Sequence, residues 1–487
     1  MEYRATIGIE VHAELNTASK MFCGCSAEFF GRPPNTNVCP VCMGYPGALP
    51  VINRRAIEYA VKVGLALNCE IAAFSRFDRK NYTYPDLPKG YQISQYGLPL
   101  CVNGWVDIDV EGRRKRIRIN RAHMEEDTAK TFHAGQASLI DYNRSGVPLL
   151  EIVTEPDIHS AEEARQYLIK LRTILRYLGV STADMEKGAM RCEANVSVSP
   201  ADSDRLGVKT EVKNLNSFRS VKQAIEYEIA RQIAILEAGG RVEQVTMGWN
   251  EHQGRTVLQR SKEFAEDYRY FPEPDLPPLE LSREYIETIR AGLPELPDAK
   301  AARLVSSYGI KPQDAAVLVG DGQVAGYFEA AVRAAQARQV DAQMVSNWIV
   351  GELFRLLNER GIEIAASPVS PEGLADLLAE VQKGTINANT GKDVLAEMFD
   401  GRSAAAIIQA RGLAQINDAE TLSRLAKQVI AENADAVEQY MGGKESALSF
   451  LIGQVMRASR GKANPQLVRE LMLRQLGNKP DSGVDRS

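Results

Sequence analysis

Long apolar runs are missing from this sequence: no stretch approaches the ~18 consecutive apolar residues that a membrane-spanning helix requires. The opening MEYRATIGIE has neither a basic leader nor an apolar core of signal-peptide length. These absences predict a cytoplasmic chain with no membrane partner. Two nucleotide signatures are absent as well, the G-x4-G-K-[ST] phosphate loop and a G-x-G-x-x-G after a strand, so nucleotide chemistry here uses neither device. No Gly/Ser-rich amidase nucleophile stretch and no cysteine-type glutaminase arrangement occurs, so any ammonia consumed must be released by another chain. Strong net charge is also lacking. The formal balance is −5, with 44% hydrophobic and 25% charged residues, and contact with RNA must therefore be local rather than driven by a global field. At 487 residues the chain exceeds one ordinary core, and about two to four domains are expected.

What is present is organised around residues 139–156, LIDYNRSGVPLLEIVTEP. Asp141, Asn143, Ser145 and Gly146 have turn chemistry, and residues 147–154 read as a strand entered through Pro148. Leu149, Glu151, Val153 and Glu155 share one face of it; Leu150, Ile152 and Thr154 share the other. A carboxylate buried unpaired in an apolar row costs several kcal/mol, so Glu151 requires a cation, a metal or a proton as partner. Three further strands repeat the arrangement. Residues 4–14 alternate Ile7, Ile9 and Val11 against Glu10, His12 and Glu14. Residues 191–197 set Glu193 between Arg191 and Asn195, opposite Cys192, Ala194 and Val196. Residues 208–213 set Glu211 between two lysines, opposite Val208, Thr210 and Val212. Carboxylates gathered on neighbouring strands repel unless a divalent cation neutralises them. Oxygen-rich ligation suits Mg²⁺ or Mn²⁺, and Mn²⁺ accepts a histidine more readily. Unrelated solvated strand faces are the alternative that the pattern leaves open.

The seven cysteines are unevenly used. Four fall in Cys23-x-Cys25-x13-Cys39-x2-Cys42, and two closely spaced pairs separated by a loop are what a tetrahedral zinc site needs, each pair clamping one edge. Disulfides are the weaker alternative in a cytosolic chain. Four thiolates leave no open position, so the predicted zinc is structural. Cys69, Cys101 and Cys192 stand alone in apolar surroundings and read as core filler.

Residues 53–68 read as a helix with apolar residues at helical spacing. Residues 77–96, FDRKNYTYPDLPKGYQISQY, have no clean period; four tyrosines with Arg79, Lys80 and Lys89 make either a loop that cradles a phosphate, a base or an aminoacyl end, or an ordinary surface loop. Residues 105–121 read as a hairpin turning at Glu111-Gly112. Its second strand carries six basic residues in nine positions, as a phosphate contact or a solvated face. His123, Glu125, Glu126 and Asp127 follow at the strand's end, where a metal ligand fits. Amphipathic helices at 162–178 and 216–238 back the sheet, giving an α+β first part with a mostly antiparallel sheet. FPEPDLPP, four prolines in eight residues, precedes an Ala/Leu-rich helical remainder and puts the main boundary near Leu281. The expected division is an α+β domain over 1–290, a helical domain over 291–408, a small helical tail domain over 409–479 and a disordered end at 480–487. Between Lys444 and Lys479 seven basic residues face two acidic ones, a net +5 suited to RNA.

The runs DYNRSGVPLLEIVTEP, IGIEVHAEL, CPVCMGYPGALPVIN with its upstream CxC, RFDRKNYTYPDLPKGYQISQY, RCEANVSV, KTEVKNLNSF, DYRYFPEPDLPPL and SFLIGQVMRASRGKANPQLV closely resemble, in order and over essentially the whole chain, the B subunits of the aspartyl/glutamyl-tRNA(Asn/Gln) amidotransferase family. The resemblance implies ATP-dependent repair of mischarged tRNA. The side-chain carboxylate of glutamyl-tRNA(Gln), or of aspartyl-tRNA(Asn), is phosphorylated, and ammonia from a separate amidase subunit, the A subunit, displaces phosphate; a small C subunit completes the heterotrimer. It further implies a cradle domain followed by a helical domain and a tail that reads the outer body of tRNA, with Mg²⁺ bridging ATP phosphates. Carried over by motif, Glu10, His12, Glu125, Glu151, Glu193 and Glu211 are the catalytic metal ligands, Glu125 on the resemblance alone. Tyr82 and Lys89 fall in the substrate cradle, and Arg144 clamps phosphate. No room exists for the inserted domain of the archaeal E-type paralogues. The rival from another class is a zinc-containing tRNA-binding protein without chemistry of its own.

Overall fold

The computed structural model describes residues 2–261, 268–414, 418–459 and 463–477; the expected disordered end at 480–487 lies outside them. The chain divides into two compact units, Met1–Pro297 and Asp298–Ser487.

The first unit is built on a 12-stranded sheet. Its centre is the strand Tyr3–Glu14, whose alternation puts Ile7, Ile9 and Val11 wholly inside. It pairs antiparallel with Pro148–Thr154 on one side and Met190–Pro200 on the other. Outward from the first lie Arg113–Glu126, Tyr91–Ser94, Asp78–Asn81 and Phe271–Pro272; outward from the second lie Thr210–Leu215, Val245–Asn250 and Arg255–Ser261. Among the described residues only the pairing of Thr210–Leu215 with Val245–Asn250 is parallel, so the sheet is mainly antiparallel, within an α+β unit. Helices Arg54–Ala66, Ala161–Tyr177 and Phe218–Glu237 cover the apolar face and share one core with it. Each begins at a side-chain cap, Asn53, Ser160 or Ser217, which accepts from otherwise orphaned first-turn amides.

Two local expectations need correction, and the hairpin's open alternative can be weighed. The fourth acidic strand is Thr210–Leu215, so Val208 lies outside it, 46% exposed, and does not extend the apolar row. Residues 77–96 are not simply a loop. Asp78–Asn81 and Tyr91–Ser94 pair antiparallel and add to the sheet, and the buried side chains there include Asp78, Gln92, Ser94 and Gln95; polar groups facing inward erase the apolar alternation that marks a strand. The basic hairpin does turn at Glu111 and Gly112, both at positive φ (51° and 75°), the primed turn that suits strand twist. Most of its charges are matched within the chain, however. Arg114 and Arg116 meet Asp107, Lys115 meets Glu163 and Arg118 meets Asp157, so it is a solvated, paired face.

The second unit is helical with two separate cores. One runs from Leu304 to Ile408 and the other from Leu422 to Leu476. The helix Ala404–Arg411, closed by Gly412 at φ 57°, stands at the expected boundary between residues 291–408 and 409–479. Four helices, Ala419–Glu432, Ala434–Met441, Glu445–Ala458 and Pro465–Leu476, build the last core. Arg460 and Lys462 of the basic segment lie outside the described residues.

Candidate metal and active centre

Strand register assembles the centre. His12 stands directly opposite Glu151, and Glu151 directly opposite His123 on the next strand, so three side chains from three strands share one patch of the polar face. Glu125, two residues on from His123, completes it. Ligand atoms of His12, Glu125 and Glu151 all lie within 4.8 Å of one another. His12 Nε2 is 3.4 Å from Glu151 Oε2, and His123 Nε2 is 3.6 Å from the same oxygen and 3.5 Å from Glu125 Oε1. Ser94 Oγ (2.8 Å) and Gln92 Nε2 (3.1 Å) donate to Glu125 and fix its plane. The donor set, one imidazole nitrogen and two buried carboxylates held by neighbours, fits a hard or borderline divalent cation.

Electrostatics keep the two carboxylates of the set ionised. Burial and the Glu151 charge push the Glu125 carboxyl up, but His123 and Lys80 overcome them and hold it below the usual range. Burial likewise opposes ionisation of Glu151, yet His123, the His12 hydrogen bond and Lys80 pull it well below. Burial disfavours charge on His12, and the Glu151 carboxylate more than compensates, leaving its pKa above the ordinary 6.5. Two carboxylates thus stay ionised side by side.

The other three expected ligands stand on the far side of the centre. Glu193 is directly opposite Glu10, and Glu211 is opposite Asn195. Asn195 donates to Glu10 (2.8 Å), Lys213 donates to Glu193 (2.8 Å), and Thr246 donates to Glu211 (2.7 Å). Burial pushes Glu193 up against the pull of Lys213. These three continue the acidic face but are engaged with protein partners. Tyr82 donates to Gln92 Oε1 (3.2 Å), one hydrogen bond from Glu125. Lys89 pairs with Glu126. Arg144 is committed differently from a bare phosphate clamp: its Nε and Nη2 donate to the carbonyls of Thr128 and Ala129, both at 3.0 Å.

Several contributors lie outside the expected ligand set. His123 carries a visible signal, sitting two residues before Glu125 on one strand face. Arg121, 3.7 Å from Glu151 Oε1, shares that face. Asp127, bound by Arg191 at 2.7 Å, meets Glu14, whose carboxyl is pushed up to about 8 by burial and then by the Asp127 charge. A row of tyrosines borders the carboxylates. Tyr96 stacks on Tyr270 (4.7 Å, 14°) beneath Arg121, and Tyr268 meets Tyr82 edge-on with Lys80 over both rings. No periodicity in the sequence marks these rings as neighbours, because they come from segments almost two hundred residues apart.

The four paired cysteines come together as a second centre, with one sulfur from each of Cys23, Cys25, Cys39 and Cys42 within 4.8 Å of the others. All are free thiols. The Cys39–Cys42 Sγ separation is 3.8 Å, far beyond a disulfide of ~2.05 Å and equal to the edge of a tetrahedron with metal–sulfur bonds of ~2.3 Å. The Cys42 thiol is pulled down to about 5, first by the hydrogen bond from Cys23 and then, against burial, by the Cys39 amide and Lys20. Cys23, at the other end of that bond, is pushed up. Cys69, Cys101 and Cys192 are buried in the core. Among the described residues no helix is long and apolar enough to cross a membrane.

Comparison with known proteins gives this geometry a family. The GatB/GatE catalytic domain matches residues 5–287, and the GatB domain matches residues 326–476. A protein of Moorella thermoacetica is 56% identical over 481 residues, covering 98% of this chain and 100% of that protein. One of Carboxydothermus hydrogenoformans is 53% identical and one of Thermomicrobium roseum 54% identical, each over 477 residues, 97% of this chain and 98% of the relative. All three are named as B subunits of aspartyl/glutamyl-tRNA(Asn/Gln) amidotransferase. A four-cysteine pocket, an acidic sheet centred on His12, Glu125 and Glu151, and sequence identity above half along the whole chain converge on one statement: the chain belongs to the GatB family, the B subunits of the aspartyl/glutamyl-tRNA amidotransferases.

Proposed function

We propose that this chain is the activating subunit of a cytoplasmic tRNA-dependent amidotransferase, working with an amidase (A) subunit and a small C subunit on glutamyl-tRNA(Gln), aspartyl-tRNA(Asn) or both. An oxygen of the tRNA-bound side-chain carboxylate attacks the γ-phosphorus of ATP, the bond to the bridging oxygen breaks, and ADP leaves. Ammonia then attacks the acyl carbon, the carbon–oxygen bond to phosphate breaks, and phosphate departs as the nitrogen loses a proton. The observation that carries this reading is the cluster of His12, Glu125 and Glu151, with ligand atoms within 4.8 Å, in a chain of this family.

His12, Glu125 and Glu151 hold Mg²⁺ or Mn²⁺, and Glu10, Glu193 and Glu211 extend the acidic face toward a further ion. Bound there, the cation supplies neutralisation of phosphate charge as the phosphoryl group moves. Ser94 and Gln92 orient Glu125. Tyr82 and Lys89 line the approach of the aminoacyl end. Arg144 orders the turn and offers Nη1 to phosphate. Cys23, Cys25, Cys39 and Cys42 bind a structural zinc, since four thiolates leave no position for substrate. The first 290 residues form the cradle, residues 291–408 a helical domain, and residues 409–479 a tail that contacts tRNA through its basic excess. Incubating the three-subunit complex with ATP and each mischarged tRNA tests the proposal. ADP formation only when mischarged tRNA is present supports it. AMP formation, or ATP cleavage indifferent to mischarged tRNA, rejects it, and no cleavage at all would leave a binding protein.

A further inference from the structure

We propose that Lys20 is the resident cation of the four-cysteine site, and that through it this site fixes the turn from which the Glu151 strand springs. The proposal rests on reading the four cysteines as a metal site. Lys20 is 0% exposed, among the largest fully buried side chains of the chain. Its Nζ donates to the Asn37 carbonyl at 2.9 Å, to the Tyr142 carbonyl at 3.5 Å and to Cys42 Sγ at 3.7 Å. No carboxylate among the described residues pairs with it. A buried ammonium is strongly unfavourable without an anion beside it. Two carbonyls satisfy its protons but not its charge, and the acceptor able to carry negative charge is the Cys42 sulfur. Four thiolates around a divalent cation leave an excess of two negative charges. A lysine against one of them reduces that excess where little water can.

The same residue ties three segments. Its backbone amide donates to the Cys25 carbonyl at 2.9 Å, placing Lys20 on the first cysteine limb, while its side chain crosses Cys42 on the second limb to reach the turn. That turn is stitched to the cysteine loop at other points. Fully buried Asn143 accepts from the Asn37 amide and donates to the Pro33 carbonyl, both at 2.7 Å. The Met21 amide donates to the Gly146 carbonyl at 2.7 Å. On its other side the turn exchanges amide bonds with the active centre, Gly146 N to Asp127 O at 2.9 Å and Asp127 N to Val147 O at 2.8 Å. The strand carrying Glu151 begins at Pro148. Removing the metal lets thiolates of the site other than Cys42 take up protons and so lowers the negative charge against which Lys20 is buried, and the first element to feel it is the turn at 141–147.

The test uses the full-length chain as wild type, Lys20→Met, Cys42→Ser and the double variant, with metal content, the rate of metal release to a chelator, and hydrogen exchange of the 142–147 amides as readouts. Lys20→Met should release metal on the order of tenfold faster or more and exchange faster in the turn. Adding it to Cys42→Ser should speed metal release little further, because on the metal the two act through one contact, whereas exchange in the turn should still rise, because Lys20 also reaches the Tyr142 carbonyl. Unchanged release and exchange in Lys20→Met, or release effects that simply add in the double variant, would overturn the proposal. If Lys20→Met does not fold, stripping the metal from wild type decides it. Exchange should rise at 142–147 and not within 218–237, and unaltered exchange in the turn refutes the link. Wild type purified without bound metal would overturn the metal reading itself, which metal analysis reports before any variant is made.

Discussion

Replacing Glu151 with Gln keeps the side chain's shape and removes its charge. Oε2 lies 3.4 Å from His12 Nε2 and 3.6 Å from His123 Nε2, and Oε1 lies 3.7 Å from Arg121. At such separations a full charge pair is worth about 4–5 kcal/mol at an effective dielectric near 20, so Glu151 is the electrostatic hub of the cluster. Only what is realised as charge moves in the transition state counts toward rate. The loss expected is that of one preorganised electrostatic group, about 3–4 kcal/mol, or about 10²–10³-fold in amide formation. The assay is amide formation on mischarged tRNA by the assembled complex at saturating Mg²⁺, with tRNA binding measured alongside and expected to change little. A second readout is the His12 titration followed by NMR in metal-free protein. Its pKa now stands above 6.5 because Glu151 overcomes the effect of burial. A group raised on folding adds stability below its unfolded pKa and loses it as pH rises through the folded value, so the stability lost in Glu151→Gln should be largest just below about pH 6.5 and fade above it. With Glu151 neutral, burial and the Arg191 charge are opposed only by Glu125, and the His12 pKa should fall. Turnover within about threefold of wild type, or an unmoved His12 titration, would refute the reasoning.

Cys39→Ser combined with Cys42→Ser should lower metal content and melting temperature together, because a closed four-thiolate site contributes folding energy; elemental analysis beside calorimetry checks both, and full metal occupancy would exclude these ligands. A chain ending at Gly412, where the helix Ala404–Arg411 closes, keeps the acidic sheet intact and should bind tRNA more weakly, with the slope of log K against log salt smaller by roughly two to four for three or four lost phosphate contacts; an unchanged affinity and slope would move tRNA recognition elsewhere. Gly64→Ala in the first helix should destabilise although alanine is the better helix former by ~1 kcal/mol, since its Cβ would lie 2.4 Å from Cys101 Sγ and 2.7 Å from Ile71 Cδ1; denaturant unfolding with a raised midpoint would contradict this.

Period-2 alternation made the N-terminal strand legible, because Ile7, Ile9 and Val11 are buried while Glu10 and His12 line the other face. It could not say which strands are neighbours. His12 meets Glu151 only because Pro148–Thr154 returns between Tyr3–Glu14 and Arg113–Glu126, a long-range pairing that local pattern does not encode. His123 and Glu125 were legible as candidate ligands at a strand's end, but periodicity did not single them out. The strand Arg113–Glu126 begins exposed and basic, but residues 122–126 are buried on both faces, so alternation stops where the functional groups start. The edge pair Asp78–Asn81 and Tyr91–Ser94 was illegible because it turns Gln92 and Ser94 inward to hold Glu125. The cysteine spacing, by contrast, needed no tertiary information, since each pair is local.

The most direct test of the central claim follows an oxygen atom. Glutamyl-tRNA carrying ¹⁸O in its side-chain carboxylate is turned over by the assembled complex with ATP and glutamine, and the products are weighed by mass spectrometry. If the acidic centre directs phosphorylation of that carboxylate, the released inorganic phosphate carries one ¹⁸O per amide formed, and Glu151→Gln suppresses the label and the amide together. Label appearing in AMP, or amide forming with unlabelled phosphate, would contradict the account.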